Sequence, residues 1–102
     1  MRIAVIDLGT NTFNLLIADV NDSGFTVVHN SKEGVALGMG GINEKRITAD
    51  AMARALTAFE HFVGICREKQ AETIRAIGTS AVRDAVNAHE LVTTVQSRFG
   101  VQ

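Results

Sequence analysis

The 102-residue chain contains no proline, no tryptophan, no tyrosine and a single cysteine. One cysteine excludes an internal disulfide and a cysteine-based zinc site, and makes a cytoplasmic setting the default expectation. No apolar stretch approaches the roughly 18 residues that a membrane span requires. The N-terminal apolar run carries Asp7, which argues against a signal peptide. Lysine and arginine are scattered without a basic run, and the formal net charge is −1. Electrostatics therefore offer no case for a nucleic-acid or membrane partner. Low-complexity and repeated segments are also absent. What remains is ordinary globular composition, 46% hydrophobic. At this length it permits one domain, burying roughly 60–70% of its unfolded surface.

Against those absences stands Ile3-Ala4-Val5-Ile6-Asp7-Leu8-Gly9-Thr10-Asn11-Thr12-Phe13-Asn14-Leu15-Leu16-Ile17, an apolar run, a Gly-led polar turn and a second apolar run. In a P-loop or dinucleotide fold the Gly-rich turn leaves a strand and opens a helix. Here the residues after the turn alternate with period 2 and carry no helix start signal, so the turn joins two paired strands. The first strand, Arg2–Asp7, is apolar on both faces and reads as a central strand buried on both sides. The second is Phe13–Val20. After the turn signal Asn21-Asp22-Ser23-Gly24 comes a third, Phe25–Lys32, completing an antiparallel meander. Gly34–Ile47, rich in glycine, reads as a long mobile loop. Thr48 is a good N-cap for an amphipathic helix running to about Gln70, with Asp50 in its first turn. Within it Gly64 either costs about 1 kcal/mol relative to alanine or permits a close contact.

Thr73–Gly78 reads as a fourth strand, and the long preceding helix implies a crossover and parallel pairing with the first. Thr79 or Ser80 would cap a short helical turn through Asp84. Asn87 and Glu90 resemble a capping box for a last helix from about Ala88 to Phe99. The order β-β-β-α-β-α, with that extra turn, predicts an α/β fold with a mixed sheet. The last helix should cross into a fifth strand, at whose start the sequence stops. The unpaired edge there, or apolar surface left by the missing domain, predicts self-association, as a homodimer.

The turn invites two readings. If Gly9 takes φ > 0, residues 9–12 aim successive N–H groups at one anion, with the Thr10 and Thr12 hydroxyls as further donors. Otherwise it is a tight hairpin without a ligand. Asp7 alone would repel phosphate by about 1 kcal/mol at 4 Å in water, more when shielded. Its presence makes sense if Mg²⁺ or a metal-held water bridges it to phosphate; the alternative is an Asx-turn. Arg83, just after strand 4, reaches the rim shared by strands 1 and 4 if these are neighbours, and would clamp phosphate there. Alternatively it pairs with Asp84 on the surface. His29, His61 and His89 lack metal-ligand spacing, and Cys66 sits on an apolar helix face as an inert core thiol. Lys32, Lys45 and Arg46 flank the glycine loop, as a polyanion path or as a solvated surface. Phe13, Phe25, Phe59, Phe62 and Phe99 read as core.

Two segments together, Ala4–Asn14 around Asp7-Leu8-Gly9-Thr10-Asn11-Thr12 and Ile77-Gly78-Thr79-Ser80-Ala81-Val82-Arg83-Asp84-Ala85-Val86-Asn87-Ala88, resemble the exopolyphosphatase / guanosine pentaphosphate phosphohydrolase (Ppx/GppA) family. The resemblance spans essentially the whole chain. It implies an actin-like ATPase (ribonuclease H-like) fold, with residues 1–102 as the N-terminal part of its first domain. It also implies release of terminal phosphate from polyphosphate or guanosine pentaphosphate, with Mg²⁺ as cofactor. On that resemblance Gly9, Thr10, Asn11, Thr12 and Arg83 would bind phosphate, and Asp7 the metal. The resemblance places the family's catalytic glutamate and second glycine-rich loop beyond Gln102, and none of Glu60, Glu68, Glu72 and Glu90 matches the position of that base. Asp-Leu-Gly-Thr also occurs in actin-like sugar and acid kinases, which keeps an ATP-binding segment as an alternative, as is a non-catalytic phosphate-binding module.

Overall fold

A computed structural model describes residues 1–9, 11–36, 47–78 and 88–101. Four strands form one mixed sheet in the order β3-β2-β1-β4. β1 (Arg2–Leu8) pairs antiparallel with β2 (Thr12–Asn21), which pairs antiparallel with β3 (Gly24–Gly34). Helix α1 (Ala49–Glu68) carries the chain over to β4 (Thr73–Gly78), which runs parallel to β1 from Ile3↔Thr73 to Leu8↔Gly78. α2 (Ala88–Phe99) follows. The expected meander, crossover and parallel pair are all present. The short helical turn expected through Asp84 falls outside the described residues, as do Asn87 of the capping box and loop residues Lys45 and Arg46.

The strand period decides what is buried. Ala4, Ile6 and Leu8 of β1 and Phe13, Leu15 and Ile17 of β2 point to one face and are buried there. α1 covers that face with Ala51, Ala55, Ala58, Phe59, Phe62, Val63 and Cys66, a stripe at three- and four-residue steps. Its alanines have no bulk to hold the helix off the sheet. Phe59 lies at the centre, edge-on to Phe13 (centroids 5.8 Å apart) and stacked on Phe99 of α2 (6.2 Å). Each such ring pair contributes about 0.5–1.5 kcal/mol beyond its buried area. Leu91 and Val95 of α2 and Val101 close the cluster.

The opposite face departs from expectation. β1 is central but buried on one side only: Val5 is half-buried and Asp7 exposed, and Leu16, Val27 and Ile77 are exposed on neighbouring strands. Phe25, expected in the core, is 69% exposed. It pairs with Val20 near the far end of β3, and the irregularity at Ile17/Ala18 shifts the register between it and the rest of the strand. Alternation alone cannot say which of two apolar faces finds a cover.

The ends of α1 follow the local rules. The Thr48 hydroxyl accepts from the Ala51 N–H at 3.1 Å. Gln70 turns the chain out with φ +61°, while Ala71 N–H donates to the Cys66 carbonyl. A Cβ on Gly64 would meet nothing within 4 Å, which removes the close-contact explanation. That glycine costs α1 about 1 kcal/mol relative to alanine.

At the end of the sheet away from the turn, polar groups satisfy one another. Arg2 grips Asp19 with two bonds (Nε–Oδ1 2.7 Å, Nη2–Oδ2 3.0 Å) and donates Nη1 to the Lys69 carbonyl at 2.8 Å. Its backbone N–H donates to Glu72 Oε2, and Glu72 N–H returns a bond to the Arg2 carbonyl. The Arg2 hydrogen bond holds the Asp19 carboxyl below its usual range. A carboxyl depressed on folding contributes stability that is present above its unfolded value and lost as pH falls through its folded one. We therefore expect Asp19→Asn to be less stable than the parent at pH 6 and the two to converge below about pH 4, measured by urea unfolding across that range.

Candidate functional site

The turn after β1 is held from below. Leu8 and Phe13 face each other across β1 and β2 and are both buried, so the connection between them is pushed out at the C-terminal end of β1. Gly9 N–H donates to the Thr12 carbonyl at 3.1 Å. Gly9 does not adopt φ > 0; only Gly24 and Gly100 do so among the described glycines. Glycine is needed for proximity instead: a Cβ here would lie 2.7 Å from the Thr12 carbonyl oxygen. The expected fan of N–H donors is corrected accordingly, since Gly9 spends its own on closing the turn. Thr10 lies outside the described residues.

Asn11 is exposed and Thr12 half-buried. The Asn11 carbonyl accepts two bonds, from Val35 N–H and Ala36 N–H, both at 2.9 Å. In a trans peptide plane C=O and N–H point opposite ways, so this acceptance turns the Thr12 N–H toward the turn's interior. The start of the expected loop is thereby pinned: Val35 is buried and Ala36 sits at φ +48°. From α1, Arg54 donates Nε to the Val35 carbonyl (2.7 Å) and Nη2 to that of Ala36 (3.2 Å). Nothing in the sequence reading singled out Arg54. The one available signal is its position on the apolar stripe, three residues after Ala51 and four before Ala58.

Asp7 is the last outward-facing residue of β1, exposed and without an ion-pair partner among the described residues. It stands in a row with Asn14 and Lys32, with Ile77 on its other side. At ~4.8 Å per strand, Lys32 is about 10 Å across the sheet. The C-terminal ends of β1 and β4 share a rim, Leu8 against Gly78, as the placement of Arg83 required; Arg83 itself lies outside the described residues. Beneath that rim a cavity of about 120 Å³ is lined by Leu8, Phe59, Ala76, Leu91 and Val95. These side chains are apolar, and Gln96 also lines the cavity.

The other candidates resolve into structural parts. His29 meets Ser31 (2.9 Å), His61 meets Glu33 (3.0 Å) and His89 meets Thr93 (3.4 Å). Burial pushes the Cys66 thiol up, which suits an inert core residue.

This architecture has close counterparts. An exopolyphosphatase from Cytophaga hutchinsonii superposes with a TM-score of 0.94 at 40% identity, over all of this chain and 33% of that one. "Exopolyphosphatase 2" of Mycobacterium tuberculosis is 40% identical over 84% of this chain and 28% of its own length. A "guanosine-5'-triphosphate,3'-diphosphate pyrophosphatase" of Vibrio cholerae is 31% identical over 95% of this chain and 20% of its own. The chain thus spans a third or less of each of these relatives. The expected actin-like, ribonuclease H-like fold is the one found. The sequence model of the Ppx/GppA phosphatase family matches residues 16–102, and the chain belongs to that family.

Proposed function

We propose that this chain supplies the first phosphate-binding half of a phosphohydrolase that releases terminal phosphate from inorganic polyphosphate or guanosine pentaphosphate. The observation that carries the reading is the β1–β2 turn. An exposed carboxylate at a strand end sits beside a loop closed by the Gly9–Thr12 bond and braced at the Asn11 carbonyl. The relatives' names supply the substrate class. In this reading Gly9 gives the turn its tightness, and Thr10, Asn11 and Thr12 donate hydrogen bonds to a phosphate. Arg83, on the segment leaving the β4 rim, clamps it from the other side.

The donor set at Asp7 fits Mg²⁺. One exposed carboxylate leaves the cation most of its waters and the oxygens of a phosphate, which is how Mg²⁺ is usually held. Among the described residues no cluster of three or more His, Cys, Asp or Glu offers an all-protein cage. Bound there, the ion would offset phosphate charge that Asp7 alone would repel.

In this reading none of Glu60, Glu68, Glu72 and Glu90 serves as the base. Glu72 is bonded to Arg2 at the far end of β1, about 20 Å from the turn by strand rise. Glu60 and Glu68 are exposed on α1, and Glu90 lies in the first turn of α2. General-base catalysis needs a carboxylate within hydrogen-bond reach of the attacking water. We also propose a cytoplasmic setting, for which the single cysteine, a buried free thiol, is the support.

Calorimetric titration with tripolyphosphate tests the site. The chain should bind, more tightly with Mg²⁺; Asp7→Asn should lose that gain, and Gly9→Ala, which displaces the Thr12 carbonyl, should weaken binding about tenfold or more. Absence of any binding by the parent would overturn the reading. The same preparation should release no inorganic phosphate from polyphosphate above a blank, in a colorimetric assay. We further propose self-association as a homodimer through the exposed apolar residues of the sheet. Sedimentation should show a dimer that Phe25→Asp converts to monomer, and a parent that is monomeric at high micromolar concentration would refute this.

A further inference from the structure

Among the described residues, both hydrogen bonds of the Arg54 side chain lead to the turn. Its guanidinium forks over two successive carbonyls, Val35 at 2.7 Å and Ala36 at 3.2 Å. The N–H groups of those same two residues hold the Asn11 carbonyl. Peptide planarity carries the constraint onward, because orienting the Asn11 C=O toward β3 orients the Thr12 N–H toward the turn's interior. Ala36 adds a second sign of constraint. At φ +48° it occupies the left-handed region, which costs a residue with a Cβ roughly 1–2 kcal/mol and persists only where its surroundings over-determine it. Its N–H and its carbonyl are both engaged, by Asn11 and by Arg54.

The origin of this bracket is rigid. Arg54 leaves α1 between Ala51 and Ala55, both wholly buried against the sheet, within two turns of the Thr48 cap. A lysine could serve one carbonyl with a rotating ammonium, but it could not bridge two in a fixed plane.

We propose that Arg54 is the positioning residue of the phosphate-binding turn, fixing through Val35, Ala36 and Asn11 the direction in which Thr12 presents its N–H. The inference rests on the phosphate-binding reading for its purpose, but its geometry can be tested without that reading. In the full 102-residue chain, Arg54→Lys and Arg54→Gln are compared with the parent by tripolyphosphate titration, amide hydrogen exchange and thermal melting.

Both variants should keep the α1 amides protected. Both should exchange Val35 and Ala36 about tenfold faster and bind tripolyphosphate about tenfold more weakly, as expected for loss of a charge-assisted bond. Lysine distinguishes positioning from charge. If Arg54→Lys binds as the parent does while Arg54→Gln does not, Arg54 acts through its charge and the proposal falls. It falls equally if exchange at those two amides is unchanged in both, or if exchange accelerates without loss of binding. A parent that fails to bind tripolyphosphate defeats the phosphate reading, and the exchange data alone then decide whether Arg54 sets the turn. Should Arg54→Gln unfold the chain, Arg54→Lys carries the comparison.

Discussion

The packing of Leu8 against Phe13, both buried in the cluster around Phe59, is the contact on which the site depends. It fixes where β1 ends and β2 begins. The connection between them has no apolar residue to draw it inward, so it stands out from the sheet edge. The same Leu8 pairs across the other side of β1 with Gly78, which brings the end of β4 to the same rim. Replacing either large side chain would loosen the register of both strands at the point where the turn is closed. A turn held this way presents donors without first having to be ordered, and preorganisation of that kind lowers the cost of binding.

The elements were readable from sequence where one local rule had no competitor. α1 has a Thr cap, an acidic first turn and a stripe at helical spacing, and its bounds agree with expectation within two residues. β4 could be assigned as parallel because a strand following a 20-residue helix cannot return antiparallel through a short turn. The failures share one physical cause, which is that sequence reports periodicity but not partners. Phe25 alternates correctly for a strand, yet alternation does not reveal that no described residue covers its side. Gly9 looked like a residue chosen for φ > 0, whereas the constraint is the Thr12 carbonyl 2.7 Å from where a Cβ would stand. Arg54 lies 18 and 19 residues from the carbonyls it binds, a tertiary relation that no local pattern records.

The two ends of the sheet treat charge in opposite ways. At one, Arg2, Asp19, Glu72 and the Lys69 carbonyl consume one another's hydrogen-bonding capacity. That end closes the β1–β2 pair and the exit of α1, and leaves little for a ligand. At the other, Asp7 faces solvent beside a turn whose interior still has a donor to offer. A protein concerned only with stability would gain by pairing Asp7, as it pairs Asp19. An exposed acid at a strand end beside the turn is what the proposed Mg²⁺ role requires.

The uncovered face of the sheet is graded along the strands. Nearest the turn its row is Asp7, Asn14 and Lys32; one step away it is Val5, Leu16 and Asn30. Further still it is Ile3, Ala18 and Val27, and at the far end Val20 and Phe25. Across β1 to β3, polarity therefore falls with distance from the β1–β2 turn. A partner seated for hydrophobic gain would settle on the far rows, where each exposed Val or Phe it covers contributes about 1.5–3 kcal/mol at full burial. Covering Asp7 and Lys32 as well would cost desolvation, set against the burial of Ile77 on β4. On the proposed reading, a partner seated on the far rows of β2 and β3 would leave the row of Asp7 and Lys32 open to solvent.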